Sequence, residues 1–210
     1  MVINMDYLIS NYERVFVLFI EHILLTFITL LFSLIISFPL GIFLESKDRL
    51  EKLISKLFGI FYTIPSLAFF AILVPITGLG MKSAVIALVT YTQFILLRNI
   101  VKGLREVPKE IIESACGMGM SRKDLLFKIK IPLAMPVILA GFRISTISII
   151  SISTIAAWIN AGGLGELIFE GLSQNYSTKI IVGTILVAIL SIISNSIIKK
   201  IEDIYGRHLN

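Results

Sequence analysis

One cysteine, two histidines, one tryptophan and only 16% charged residues in a chain of 210 leave several chemistries without material. A lone Cys116 rules out an intrachain disulfide, and without a Cys/His cluster no metal site is expected. Charge falls well below the roughly 25% usual in soluble domains, which points to lipid as the solvent. No G-x-x-x-x-G-K-S/T run occurs, so the chain has no phosphate-cradling loop of its own. An enzyme working within the membrane would need a nucleophile, base or metal ligands at one depth. The apolar runs offer Glu21, His22 and Arg143, which make no usable constellation, and His22 reads as a satisfied polar residue near the interface.

What the sequence does have is apolar length. Hydrophobic residues make up 56% of the chain and its mean hydropathy is +0.93. Ile23 to Leu44, Leu57 to Met81 and Ile180 to Ile198 carry no charge at all, and each can cross about 30 Å of hydrocarbon as a helix. Ser83 to Leu97 is shorter, but Lys82 and Arg98 at its ends can snorkel outward. Leu133 to Ile159 is interrupted only by Arg143. These runs predict one membrane domain over residues 1–210, with spans near 17–44, 57–78, 82–101, 133–159 and 178–198 and a polar segment over 102–131. The first fourteen residues include Asp6 and Glu13 and lead into a run too long for a signal-peptide core, so an outer segment rather than a cleaved leader is expected.

The cations choose an orientation. With the polar segment in the cytoplasm, only Arg14, Lys82 and Lys179 fall outside and Arg143 falls within a span; the remaining fifteen of nineteen Lys and Arg lie inside. The amino terminus is then outside and the carboxyl terminus cytoplasmic. This asymmetry accounts for the net charge of +5 without a nucleic-acid partner.

Within the polar segment, Pro108 suits the first turn of a helix and Glu110 complements its dipole. Ile111, Ile112 and Ala115 give that helix an apolar face. Gly117 and Gly119 permit a sharp turn or a close approach by a partner. Ser121 with Asp124 three residues on reads as a capping box opening a second helix, and Ile131-Pro132 leads into the fourth span. By composition alone, an amphipathic helix resting on lipid headgroups would do as well.

The spacing resembles the coupling loop of ABC-importer permeases, which runs Glu-Ala-Ala, three residues, Gly, nine residues, Ile, one residue, Leu-Pro. Glu113, Ala115, Gly119, Ile129 and Pro132 fall on that register, with Ser114 in place of the first Ala and Ile131 in place of Leu. Ile64-Pro65-Ser66-Leu67-Ala68, Leu97-Arg98-Asn99, the run from Ile131 to Arg143 and Ala161-Gly162-Gly163-Leu164-Gly165 resemble one subfamily, the permeases for glycine betaine, carnitine and choline. Trp158 and Asn160 depart from it, standing where that family more often has a smaller or aliphatic residue and Gly.

The resemblance implies an all-α membrane protein of the type I ABC importer fold, with about five transmembrane helices and a cytoplasmic coupling helix, in a prokaryotic plasma membrane. It implies ABC ATPase subunits that bind ATP and Mg, an extracytoplasmic solute-binding protein, and a second permease subunit, either a copy or a sister chain; this chain itself would bind no cofactor. The expected solutes are quaternary-amine compatible solutes, with methionine or another small solute as the alternative. Ile111, Glu113, Ala115, Gly117, Gly119 and Pro132 are the expected ATPase-coupling residues. Glu113 either accepts hydrogen bonds from the ATPase or holds the loop's own shape. Pro65, Ser66, Tyr91 and Arg143 are candidates for the translocation pathway. Arg143, costly inside a span, is expected to pair with a carboxylate or with helix-end carbonyls. Phe61, Tyr62, Phe69, Phe70, Tyr91 and Phe94 offer faces to a trimethylammonium group, although membrane helices are rich in aromatics for packing alone.

Overall fold

The computed structural model describes residues 5–207; the side chains of Asp6 and Arg207, both weighed in the sequence, lie outside the described residues. The described chain is helical throughout its ordered elements: α1 Met5–Leu44, α2 Asp48–Thr63, α3 Ser66–Thr77, α4 Met81–Arg105, α5 Lys109–Gly117, a single turn α6 Arg122–Asp124, a π-helical stretch Leu125–Lys130, α7 Ile131–Ala156, a 3-10 turn Ala157–Ile159, α8 Gly165–Ser173 and α9 Ser177–Arg207. Four stretches are long and apolar enough to cross a bilayer: Ile9–Leu44, Met81–Arg105, Arg122–Ile159 and Ser177–Gly206. The α2–α3 pair reaches that length and apolarity only when its two arms, bent by 99°, are taken together.

The second expected span departs furthest from the sequence reading. It does not run from 57 to 78 with a kink. A helix begins earlier, at Asp48, and stops at Thr63; Ile64 (ψ 130°) and Pro65 (ψ 134°) are extended, and α3 then leaves in a new direction. The residue before a proline is driven out of the helical region, so two successive extended residues turn a kink into an elbow. α2 is amphipathic and has no buried residue, whereas α3 buries Phe69 and Phe70.

α4 is the axis of the bundle. It packs against α1, α7, α2 and α3, while α7 also packs on α9 and α9 carries α8. With no hydrophobic drive between helices in lipid, close packing supplies the cohesion, and small residues permit it. A Cβ at Gly103 would come within 3.0 Å of the Ala134 carbonyl oxygen, so α4 and α7 approach almost backbone to backbone. The core between them holds Leu88, Leu96, Ile100, Ile149 and Ile150, all fully buried.

The helix that carries the fourth expected span begins at Arg122, because Pro132 does not end it. In an α-helix its ring would strike the carbonyl four residues back. The chain instead widens over Leu125–Lys130, where the Ile131 N–H reaches the Leu126 carbonyl, one residue further back than in an α-helix. The short helix α8 follows the Gly-rich turn, packs on α9 and was not foreseen.

Candidate functional site

Pro108 (ψ 133°) is extended and stands just before α5, and its carbonyl accepts from the Ile112 N–H at 3.3 Å; Lys109 takes the first helical place expected for Pro108. The far end closes as a Schellman motif. The Met120 N–H donates to the Ala115 carbonyl at 3.1 Å and the Gly119 N–H to that of Cys116 at 2.9 Å, with Gly119 left-handed at φ 81°. Gly117 is the last helical residue. Ser121 Oγ accepts from the Asp124 N–H at 3.1 Å and donates to the Asp124 carboxylate at 2.6 Å. The hydrogen bond from Lys128, then that from Ser121, holds the Asp124 carboxyl below the usual range.

The expected coupling residues divide. Ile111, Glu113, Gly117 and Gly119 are exposed along α5 and its turn, beside Met118 at 78% exposure. Ala115, 2% exposed, faces inward, where its small side chain lets α5 sit against the π-helical stretch. Pro132, also exposed, is the second residue of α7. Among the described residues Glu113 has no ion pair or hydrogen bond, so it holds no internal shape and is open to a partner's donors.

The pathway candidates also separate. Pro65 forms the elbow and is exposed, with Ser66 half-buried behind it. Tyr91 is 4% exposed and its hydroxyl donates to the Ile64 carbonyl at 2.7 Å, so it braces the elbow and offers no free face. Phe61, Phe69, Tyr91, Tyr62 and Phe94 follow ring to ring around the bend at centroid separations of 5.8, 5.3, 6.0 and 4.8 Å. Phe94 borders two open cavities, of about 580 and 660 Å³, and the Arg98 guanidinium lies 5.1 Å from its ring. Arg143 donates to Glu202 at 2.9 Å and to Asn195 at 3.3 Å; Asn195 lies within the uncharged run of α9 and Glu202 just beyond it, past Lys199 and Lys200. Its partner is thus a carboxylate, as expected.

The opposite end carries a second polar cluster that hydropathy gave no means to see. Arg14 pairs with Glu170, which also accepts from Lys179 at 3.0 Å. Glu21 accepts from the Gly163 N–H at 3.0 Å, and His22, fully buried, meets the Ile150 carbonyl through Nε2 at 3.1 Å while its Nδ1 has no partner, so the histidine is satisfied at one nitrogen only. A cavity of about 480 Å³ opens between Arg14, Glu21, Gly162 and Glu166. Burial, then the charge of Glu21, raises the Glu166 carboxyl. Asn160 is left-handed at φ 58°, with the Asn160 and Ala161 N–H groups returning to Ala157 and Ala156. It fills the turn position that Gly more often takes, which makes that departure from the family harmless to the backbone. Trp158 is 63% exposed and meets Phe169 edge-on at 5.4 Å.

Residues 37–203 match the family described as binding-protein-dependent transport system inner membrane component. The choline transport system permease protein OpuBB of Bacillus subtilis is 37% identical over 87% of this chain and 84% of its own. The glycine betaine/carnitine/choline transport system permease protein OpuCB of the same organism is 36% identical with the same coverage. The ergothioneine transport permease/ergothioneine binding protein EgtU of Helicobacter pylori is 34% identical over 84% of this chain, which spans 31% of that longer protein. An inward-facing structure of the MetNI methionine ABC transporter shares the fold with a TM-score of 0.83 at 22% identity, over 98% of this chain and 99% of that one. The chain therefore belongs to the family of inner-membrane components of binding-protein-dependent transport: it is a multi-pass, all-α permease subunit with the type I importer fold, of the kind whose ATP is hydrolysed on separate subunits.

Proposed function

We propose that this chain forms the translocation pathway of an ATP-driven importer for quaternary-amine compatible solutes such as glycine betaine, carnitine and choline. The observation that carries the coupling role is α5. It is a capped helix outside the apolar crossings, fixed between α4 and α7, with Glu113 exposed and without an internal partner. An ATPase subunit docks there and binds the ATP and Mg that this chain does not. A second permease, a copy or a sister chain, completes the pathway along the elbow and the two open cavities. A solute-binding protein docks on the face of Glu166 and Trp158. The charge asymmetry supports an outer amino terminus and a cytoplasmic carboxyl terminus.

The solute class is supported by the relatives. Choline, carnitine, glycine betaine and ergothioneine share a trimethylammonium group, and these are the solutes in the relatives' names. Likeness to the methionine transporter is one of fold and does not favour methionine. The test is uptake of labelled glycine betaine, carnitine, choline and methionine by cells lacking their own importers and carrying the whole gene cluster. Methionine uptake without amine uptake overturns the solute class. Uptake that survives deletion of the ATPase gene overturns the importer.

A further inference from the structure

We infer that Glu45, in the turn between α1 and α2, is the joint through which movement of α5 reaches the elbow helix α2. The inference rests on the coupling role proposed for α5.

Two short connections hold α5 to the bundle, residues 106–108 on one side and 118–121 on the other. A cation flanks each side: Arg105, the last residue of α4, and Lys130, the last of the π-helical stretch. Both reach the same turn, although they lie 60 and 85 residues from it in sequence. Lys130 pairs with the Glu45 carboxylate. Arg105 donates to the backbone carbonyls of Glu45 at 2.9 Å and Leu44 at 3.3 Å, and pairs with Asp48 at 2.8 Å and Glu51 at 3.7 Å. A cation beside the last carbonyls of α1 and carboxylates in the first turn of α2 suit both helix dipoles. One guanidinium thereby joins the ends of three helices.

The Lys130–Glu45 pair is sheltered: its side chains are 13% and 22% exposed, against 63% and 55% for the Lys102–Glu106 pair one turn from Arg105, whereas Asp48 beside Arg105 is open to solvent. A pair withdrawn from solvent is screened less and loses more when it is parted than a solvated one. α2 lies on α4 through Leu50, Ile54 and Phe58, which pack against Leu97 and Val101, but it buries no residue fully. Its inner end is tied by Glu45, Asp48 and Glu51, and its outer end is the elbow braced by Tyr91. A half-buried helix that slides on its apolar face is steered by the polar contacts at its ends. When α5 is drawn aside, Arg105 and Lys130 move with it and α2 swings, carrying Gly59, Ile60 and Thr63, the wall of the cavity of about 660 Å³. Glu45, Arg105 and Lys130 are therefore positioning residues, acting on the pathway through α2.

The test uses the whole transporter, with its ATPase and binding protein, in proteoliposomes, and reads solute imported per ATP hydrolysed. Glu45→Gln and Lys130→Gln each keep the assembled complex hydrolysing ATP while lowering that ratio about tenfold, within the usual range of coupling between sites. Glu45→Asp and Lys130→Arg recover most of it. The Glu45→Gln/Lys130→Gln double variant falls no further than either single, because the two act through one contact. Lys200→Gln, which removes an exposed cation on α9, leaves the ratio unchanged. An unchanged ratio in the Gln variants, or losses that multiply in the double variant, overturns the joint. If Glu45→Gln fails to assemble, Lys130→Gln decides alone on the same ratio. A wild-type complex without ATP-dependent uptake overturns the proposed function itself, which separates the two failures.

Discussion

The Tyr91 hydroxyl on α4 reaches the Ile64 carbonyl at 2.7 Å, and Ile64 is where the α2–α3 pair turns through 99°. A carbonyl released from its helix by the following proline needs a donor, and in lipid none comes from solvent. The bond thus fixes the direction in which α3 leaves.

Removing that hydroxyl tests the brace. Tyr91→Phe keeps the ring contacts to Tyr62 and Phe69 and deletes one hydrogen bond, costing about 1–2 kcal/mol of stability. A lowered thermal midpoint in detergent with slowed uptake is expected. Unaltered values for both would show the elbow to be held by Pro65 alone.

Gly119 distinguishes backbone geometry from docking. Gly119→Ala forces a side chain into the left-handed region and costs about 1 kcal/mol, with the protein still inserted. Gly119→Glu places a long charged side chain on the exposed turn and abolishes uptake while membrane insertion remains normal. Transport at the wild-type rate in that variant removes the docking assignment.

Arg143 and Glu202 are expected to serve folding before transport. Arg143→Ala leaves a partly buried carboxylate without its cation, a loss of about 1–3 kcal/mol. Folded yield falls at least as far as transport rate, and Arg143→Met with Glu202→Met recovers yield. A well-folded Arg143→Ala protein with altered solute choice would contradict this and return Arg143 to the pathway.

Asn160 offers a converse case. Asn160→Gly is neutral or slightly stabilising, since glycine accepts the same turn freely, whereas Asn160→Val costs about 1–2 kcal/mol. Thermal midpoints of the two variants, compared with the parent, give the answer directly.

The outer cluster predicts a pH response. The Arg14 hydrogen bond, then that from Lys179, holds the Glu170 carboxyl below its ordinary value of 4.5. A carboxyl lowered on folding contributes fully above its unfolded pKa and loses that contribution as pH falls through the folded one. The Glu170 contribution to the protease resistance of the α8 turn is therefore constant down to about 4.5 and declines only below it, whereas Glu166, whose carboxyl is raised, adds resistance as it takes up its proton above that pH. Arg14→Gln moves the decline upward; no movement would show Lys179 to be sufficient.

How legible was this in the sequence? The uncharged runs marked the long apolar helices, because lipid leaves few other ways to hide twenty apolar residues. The register of Glu113, Gly119 and Pro132 marked the exposed helix α5 and its turn. Helix direction was less accessible. Pro65 announced a kink, but the elbow needed Ile64 to be extended as well and Tyr91 to accept that geometry from another helix. Pro132 looked like a boundary and proved to be passed by widening the helix. Ala115 matched the motif for a reason opposite to exposure. The joint at Glu45 was invisible, because its partners lie far along the chain and no local pattern marks a pair that only the fold brings together.

The π-helical stretch between α6 and α7 also sets a rotational register. Because the Ile131 N–H pairs with the Leu126 carbonyl, one residue further back than in an α-helix, every side chain of α7 stands roughly 100° from where a regular helix continued from α6 would have put it. The rows that α7 presents to α4 and α9 therefore depend on that one inserted residue as much as on the spacing of the apolar positions.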